Sequence, residues 1–179
     1  MLEYFPGHDM ITIRENRVHG EDPRHVVWML DRTLSVLGFC HQNMVVHGNI
    51  QPANIVMVPF NHNGVLVDFV FSIHKPLPKE RFKGYNDFSA PEVVDNSASP
   101  HPAADIYSLG MSFVYLLGGD EKTGELPSHL DSRLVAFIGK MTKKNLLRRV
   151  DDAWALYHEL KQLRVQLYGA KNEFLFYEL

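Results

Sequence analysis

Apolar residues recur at helical spacing through Val26, Val27, Leu30, Leu34 and Leu37, and this period predicts a long amphipathic helix over residues 22–42. Asp22-Pro23 marks its start, because proline is tolerated in the first helical turn. Two short apolar runs follow, Ile55-Val56-Met57-Val58 and Val65-Leu66-Val67, separated by Asn61-His62-Asn63-Gly64. Asn-Gly is a strong turn signal, so these runs predict a two-stranded hairpin with a slightly long loop. Residues 74–91 carry Pro76, Pro78, Gly84 and Pro91 and predict an extended loop. Residues 105–117 are apolar on most sides, which predicts a buried helix stopped by Gly118-Gly119. Leu134, Phe137, Ile138 and Met141 mark another helix. Asp151-Asp152 caps the last helix, over residues 151–168, with Trp154, Tyr157, Leu160, Leu163 and Leu167 as its buried stripe. Residues 169–179 form a tail. The expected class is mainly α with a small β-hairpin.

Composition narrows the function. The chain has 179 residues, 45% of them hydrophobic, enough for one domain with a real core. A net charge of −3 gives no electrostatic footprint for nucleic acid or an anionic membrane. The start of the chain lacks a basic stretch followed by an apolar core, and no apolar run approaches the ~18 residues of a membrane span. Cys40 is the sole cysteine, so no intrachain disulfide can form, and a cytoplasmic, reducing setting is expected. Cys40, at the end of the long helix, is expected to be a small buried hydrophobe and not a reactive thiol. The ten histidines form no i, i+4 ligand pair with a third ligand nearby.

The chemistry is concentrated in four motifs. His47-Gly48-Asn49-Ile50-Gln51-Pro52-Ala53-Asn54 lies between the long helix and the hairpin, Asp68-Phe69-Val70 follows the second strand, Ala90-Pro91-Glu92 closes the loop, and Asp105 opens the buried helix. In this order and setting they resemble the protein kinase series H-R-D-x-x-x-x-N, D-F-G and A-P-E. The resemblance covers residues 1–168 and implies the large, C-terminal lobe of a kinase-like fold, with residues 1–9 similar to the hinge between lobes. Residues 47–54 are then a degenerate catalytic loop and 68–92 the activation segment. The Gly-rich loop and the V-A-I-K lysine of kinases have no counterpart in the sequence, so the expectation is a lobe without its smaller partner. The stretch 119–131 is too short and polar for the additional helix that kinases usually fit there.

Several roles follow only from that resemblance. Arg149 is expected to pair with Glu92 in a buried ion pair, Asp105 to hold the backbone around His47, and Phe69 to serve the scaffold with His47. Asn54 and Asp68 occupy the metal-binding positions, and Val56 the floor beneath adenine. The catalytic Asp and Lys positions hold Asn49 and Gln51, an amide with almost no basicity and a side chain with no charge. Gly48 stands for the arginine that pairs with activation-loop phosphate, Val70 for the pivoting glycine, and Tyr85 for a threonine that bonds the catalytic Asp. No catalytic residue is therefore assigned, and Asn54, Asp68 and Val56 are read as vestigial.

Two functions remain. One is a pseudokinase acting as a protein-binding module, with no cofactor beyond weak Mg-ATP binding. Its partner is a protein kinase or a second copy, met through Val56, Leu66 and Phe69. The other is an ATP-dependent transferase completed by a small lobe from another chain or from a longer native one.

Overall fold

The computed structural model describes residues 6–58 and 63–169. The hinge-like start, the tail and the expected turn therefore fall partly or almost wholly outside the described residues.

A short strand β1 (His8–Asp9) runs into α1 (Met10–Asn16), whose first turn is capped by Asp9 accepting from the Thr12 N–H at 2.8 Å. The sequence pattern did not reveal this helix, because only Met10 and Ile13 of its seven residues are buried. Helix α2 (Pro23–Gln42) starts where Asp22 accepts from the Arg24 N–H at 2.8 Å. Its buried face is Val26, Val27, Met29, Leu30, Leu34 and Leu37. Strands β2 (Val45–Val46), β3 (Ile55–Val58), β4 (Asn63–Leu66) and β5 (Ile73–His74) follow. Then come α3 (Pro91–Val94), α4 (Pro102–Leu116), α5 (Ser132–Met141) and α6 (Ala153–Tyr168).

Helix α4 is the centre of the molecule. All of its fifteen residues except Pro102 and Tyr115 are buried. It begins three residues before Asp105, since Pro102 suits a first turn and the His101 ring accepts from the Ala103 N–H. Helix α6 packs along α2, and Gly38 allows close approach: a Cβ there would lie 2.9 Å from the Trp154 ring. The buried stripe of α6 is Ala153, Leu156, Leu160 and Leu163, with Tyr157 and Leu167 partly covered, so it lies one step round from the stripe expected through Trp154. No helix forms between Leu116 and Ser132.

The three-stranded sheet has the order β1-β3-β4, all antiparallel. Its register corrects the expected turn: Asn63 pairs with Val58 and Gly64 with Met57, so the Asn-Gly dipeptide belongs to the strand. Gly64 is there for another reason. A Cβ on it would lie 2.6 Å from the Thr33 hydroxyl of α2, so only glycine lets the strand seat on the helix.

The same register corrects Leu66. It pairs with Ile55 and joins the main core with Ile55 and Met57 at 7% exposure, so it is not part of an open face. Val56, opposite Val65, takes the other side, and both are half-buried. Alternation gives two faces; the helices beneath decide which one is covered.

Candidate functional site

The loop 47–54 is held from below by Asp105, which is 2% exposed. Its carboxylate accepts the backbone N–H of His47 at 2.8 Å and of Gly48 at 2.9 Å, and it contacts His41 Nε2 at 2.9 Å. The loop backbone is therefore fixed by a residue of the central helix. His47 is fully buried, meets the Phe69 ring in a tilted contact at 4.2 Å between centroids, and accepts the Asn49 N–H at its Nδ1. Burial lowers the pKa of His47, although Asp105 pulls the other way.

Gly48 has φ +73, and a Cβ on it would lie 2.8 Å from the Phe71 carbonyl oxygen. Any side chain at this position, an arginine included, would be strained and would push the backbone at Phe71 aside. Gly84 completes the arrangement, because a Cβ there would lie 2.5 Å from the Phe71 ring.

The side chain of Asn49 is 5% exposed and sits at the centre of a polar network. Its amide nitrogen donates to Asp68 Oδ2 at 2.8 Å, and its Oδ1 accepts from Asn86 Nδ2 at 3.2 Å. Its backbone carbonyl accepts from Asn54 Nδ2 at 2.9 Å. Asp68 adopts the left-handed region, φ 61, which presents its carboxylate to the loop. Gln51 is half-buried in extended backbone just before the turn Pro52–Asn54.

This arrangement holds no general base at position 49, because an amide cannot accept a proton at neutral pH. At the two positions that hold metal in kinases, Asp68 has one carboxylate oxygen engaged by the Asn49 amide N–H, and Asn54 donates from its amide nitrogen to the Asn49 carbonyl. Among the described residues no group of three His, Cys, Asp or Glu could hold a metal ion.

Glu92 and Arg149, far apart in sequence, meet under α4. Arg149 donates from all five of its N–H groups: two go to the Glu92 carboxylate, at 2.5 and 3.0 Å, and three to the carbonyls of Ala103, Lys143 and Lys144. Its guanidinium lies 4.7 Å from the centre of the Tyr107 ring.

On the upper side, Val56, Val65 and Val67 are half-buried, Phe69 is 40% exposed and Val70 63%. Cys40 is half-buried, and burial first, then Asp105, pushes its thiol pKa up, so it stays protonated. Sequence reasoning missed Asn86 and His41. Asn86 is one residue beyond Tyr85, whose side chain is exposed, and no periodicity marks which of the two turns inward.

The chain matches the protein kinase domain over residues 1–134 and belongs to that family. It is 26% identical over 176 residues to "Serine/threonine protein kinase OSK3" of Oryza sativa subsp. indica, an alignment covering 88% of this chain and 34% of that protein. To "Serine/threonine-protein kinase D" of Synechocystis it is 28% identical over 157 residues, 75% of this chain and 31% of that protein. To "Mitogen-activated protein kinase kinase kinase 8" of Rattus norvegicus it is 34% identical over 98 residues, 52% of this chain and 20% of that protein. The chain spans about a third of the length of the first of these relatives. Among the described residues no helix is long and apolar enough to cross a membrane.

Proposed function

We propose that this chain is a non-catalytic member of the kinase family that acts as a protein-binding module. The observation that carries the reading is the Asn49–Asp68 hydrogen bond. It replaces the base of phosphoryl transfer with a donor and turns the remaining carboxylate away from metal binding. The binding face is the patch of Val56, Val65, Val67, Phe69 and Val70, and its occupant is a protein kinase or a second copy of the chain. The single cysteine, Cys40, which can form no intrachain disulfide, suits an intracellular setting.

The relatives are named as serine/threonine protein kinases, and Asn54 and Asp68 persist within one hydrogen-bond network. These favour the second reading, a transferase completed by a small lobe from elsewhere. Two measurements separate them. Transfer of labelled γ-phosphate to protein substrates should not exceed a control without protein, and Asn49→Asp should not restore it, because a base without an oriented nucleotide has nothing to act on. A thermal-shift titration with ATP and magnesium should give no rise at micromolar nucleotide, whereas a ligand at a hundred times its Kd stabilises by ~2.7 kcal/mol. A magnesium-dependent rise, or transfer abolished by Asp68→Ala, would establish the enzyme reading.

A further inference from the structure

Helix α5 and the turn behind it carry a charge imbalance that the chain as a whole conceals. Residues 132–150 hold six lysines and arginines and no acidic residue, in a chain of net charge −3. Three of the six are neutralised by acids from elsewhere: Arg133 by Asp131, Lys140 by Glu159 and Arg149 by Glu92. The other three, Lys143, Lys144 and Arg148, are exposed, and their side chains make no hydrogen bond or ion pair among the described residues.

These three cations flank an apolar side chain. Leu147, in the turn Leu146–Arg148, is 95% exposed, the most exposed large hydrophobic residue among those described. At that exposure it has almost no neighbour, so it projects from the surface. The projection is fixed by its own backbone and from beneath. The Asn145 side chain accepts from the Leu147 N–H at 3.0 Å, and the Arg148 N–H returns to the Asn145 carbonyl at 3.1 Å. The buried Arg149 guanidinium donates to the carbonyls of Lys143 and Lys144 at 2.7 and 3.1 Å, which anchors the backbone while both lysine side chains remain outside.

We infer that this turn is a docking tip for an anionic phospholipid surface. Leu147 enters the boundary between headgroups and acyl chains, and the long stems of Lys143, Lys144 and Arg148 keep their charges at the level of the phosphates. Two properties favour a lipid surface over a protein partner. The tip is convex, and a bilayer yields around a projecting side chain, whereas a protein must offer a matching cavity. Three unpaired cations around one apolar point also call for negative charge on every side, which a leaflet rich in anionic lipid supplies. The net charge of −3 does not oppose this contact, because charges farther than ~8 Å away are screened at physiological salt and the local patch governs the approach. One apolar anchor gives only marginal, reversible binding, so the cations and Leu147 are both needed. The site stands whether or not the proposed non-catalytic role does, since it shares no residue with the Asn49 network.

The test is flotation of the full chain with vesicles of phosphatidylcholine containing phosphatidylserine, beside vesicles of phosphatidylcholine alone. The chain should float with the first and not with the second, and high salt should release it. Removing each cation should weaken binding about fivefold, so Lys143→Gln, Lys144→Gln and Arg148→Gln together should weaken it about a hundredfold. Leu147→Ser should weaken it about tenfold. Lys79→Gln with Arg81→Gln and Lys83→Gln removes the same charge from exposed positions of the activation segment and should leave binding unchanged. Circular dichroism reports that each variant is folded, and every substituted side chain is exposed. The inference is overturned if the chain does not float with the anionic vesicles, or if it floats equally with neutral ones. It is equally overturned if the activation-segment variant loses as much binding as the Lys143, Lys144 and Arg148 variant, or if Leu147→Ser binds like the natural chain.

Discussion

Arg149 and Glu92, 57 residues apart, form a bidentate ion pair with side-chain exposures of 0% and 8% beneath the amino-terminal end of α4. Because every N–H of the guanidinium has an acceptor, the pair joins α3, α4 and the segment before α6 into one unit. Removing one partner leaves a buried charge uncompensated. Arg149→Ala should therefore cost ~3–5 kcal/mol, read from urea unfolding followed by circular dichroism. A cost within experimental error would mean that water reaches Glu92.

Acid should destabilise the protein through His47. Its folded-state pKa lies below the ordinary 6.5, so the unfolded chain takes up the proton more readily. The stability linked to this group is fully present above pH 6.5 and is lost as pH falls from there through the depressed folded value. Melting temperatures measured from pH 8 to pH 5 should decline over that window, and His47→Gln should flatten the decline. An unchanged slope in the variant would place the acid sensitivity at another group.

Strand β4 should be intolerant at Gly64. The new Cβ of Gly64→Ala would meet Thr33 Oγ1, which is itself tied to the Met29 carbonyl at 2.8 Å. Overpacking of this kind costs ~1–3 kcal/mol. Thr33→Ala should recover part of the loss in the double variant, so a double-mutant cycle of unfolding energies should show favourable coupling. Strict additivity would show that the strand moves off the helix instead.

The two sides of the hairpin should respond differently. Leu66→Ala removes core packing and should cost ~2–5 kcal/mol of stability. Val56→Asp lies on the half-buried outer side and should cost on the order of 1 kcal/mol or less. If that face binds a partner or a second copy, the same charge should weaken association by ~2 kcal/mol, roughly thirtyfold. Sedimentation and pull-down measure association, and circular dichroism reports the fold. Unchanged binding by folded Val56→Asp would place the interface elsewhere.

What the sequence by itself determined is what depends on neighbours along the chain. The period of Val26, Val27, Leu30, Leu34 and Leu37 is enough for α2, and the mainly apolar stretch after Asp105, with only small residues interrupting it, is enough for a buried α4, because a helix exposes its periodicity locally. The loss of a base at position 49 is likewise a matter of residue identity. What only the tertiary structure decided depends on residues brought from afar. Alternation in Val65-Leu66-Val67 defines two faces, but the helices packed beneath chose Leu66 for the core. Asn63-Gly64 carries a turn signal, yet Thr33 of α2 made the glycine a point of close approach within a strand. The partner of the Asn49 amide is Asp68, 19 positions on, and Asn86 completes the network from 37 positions away. A hydrogen bond of that range is fixed by how elements pack, and no local pattern encodes it.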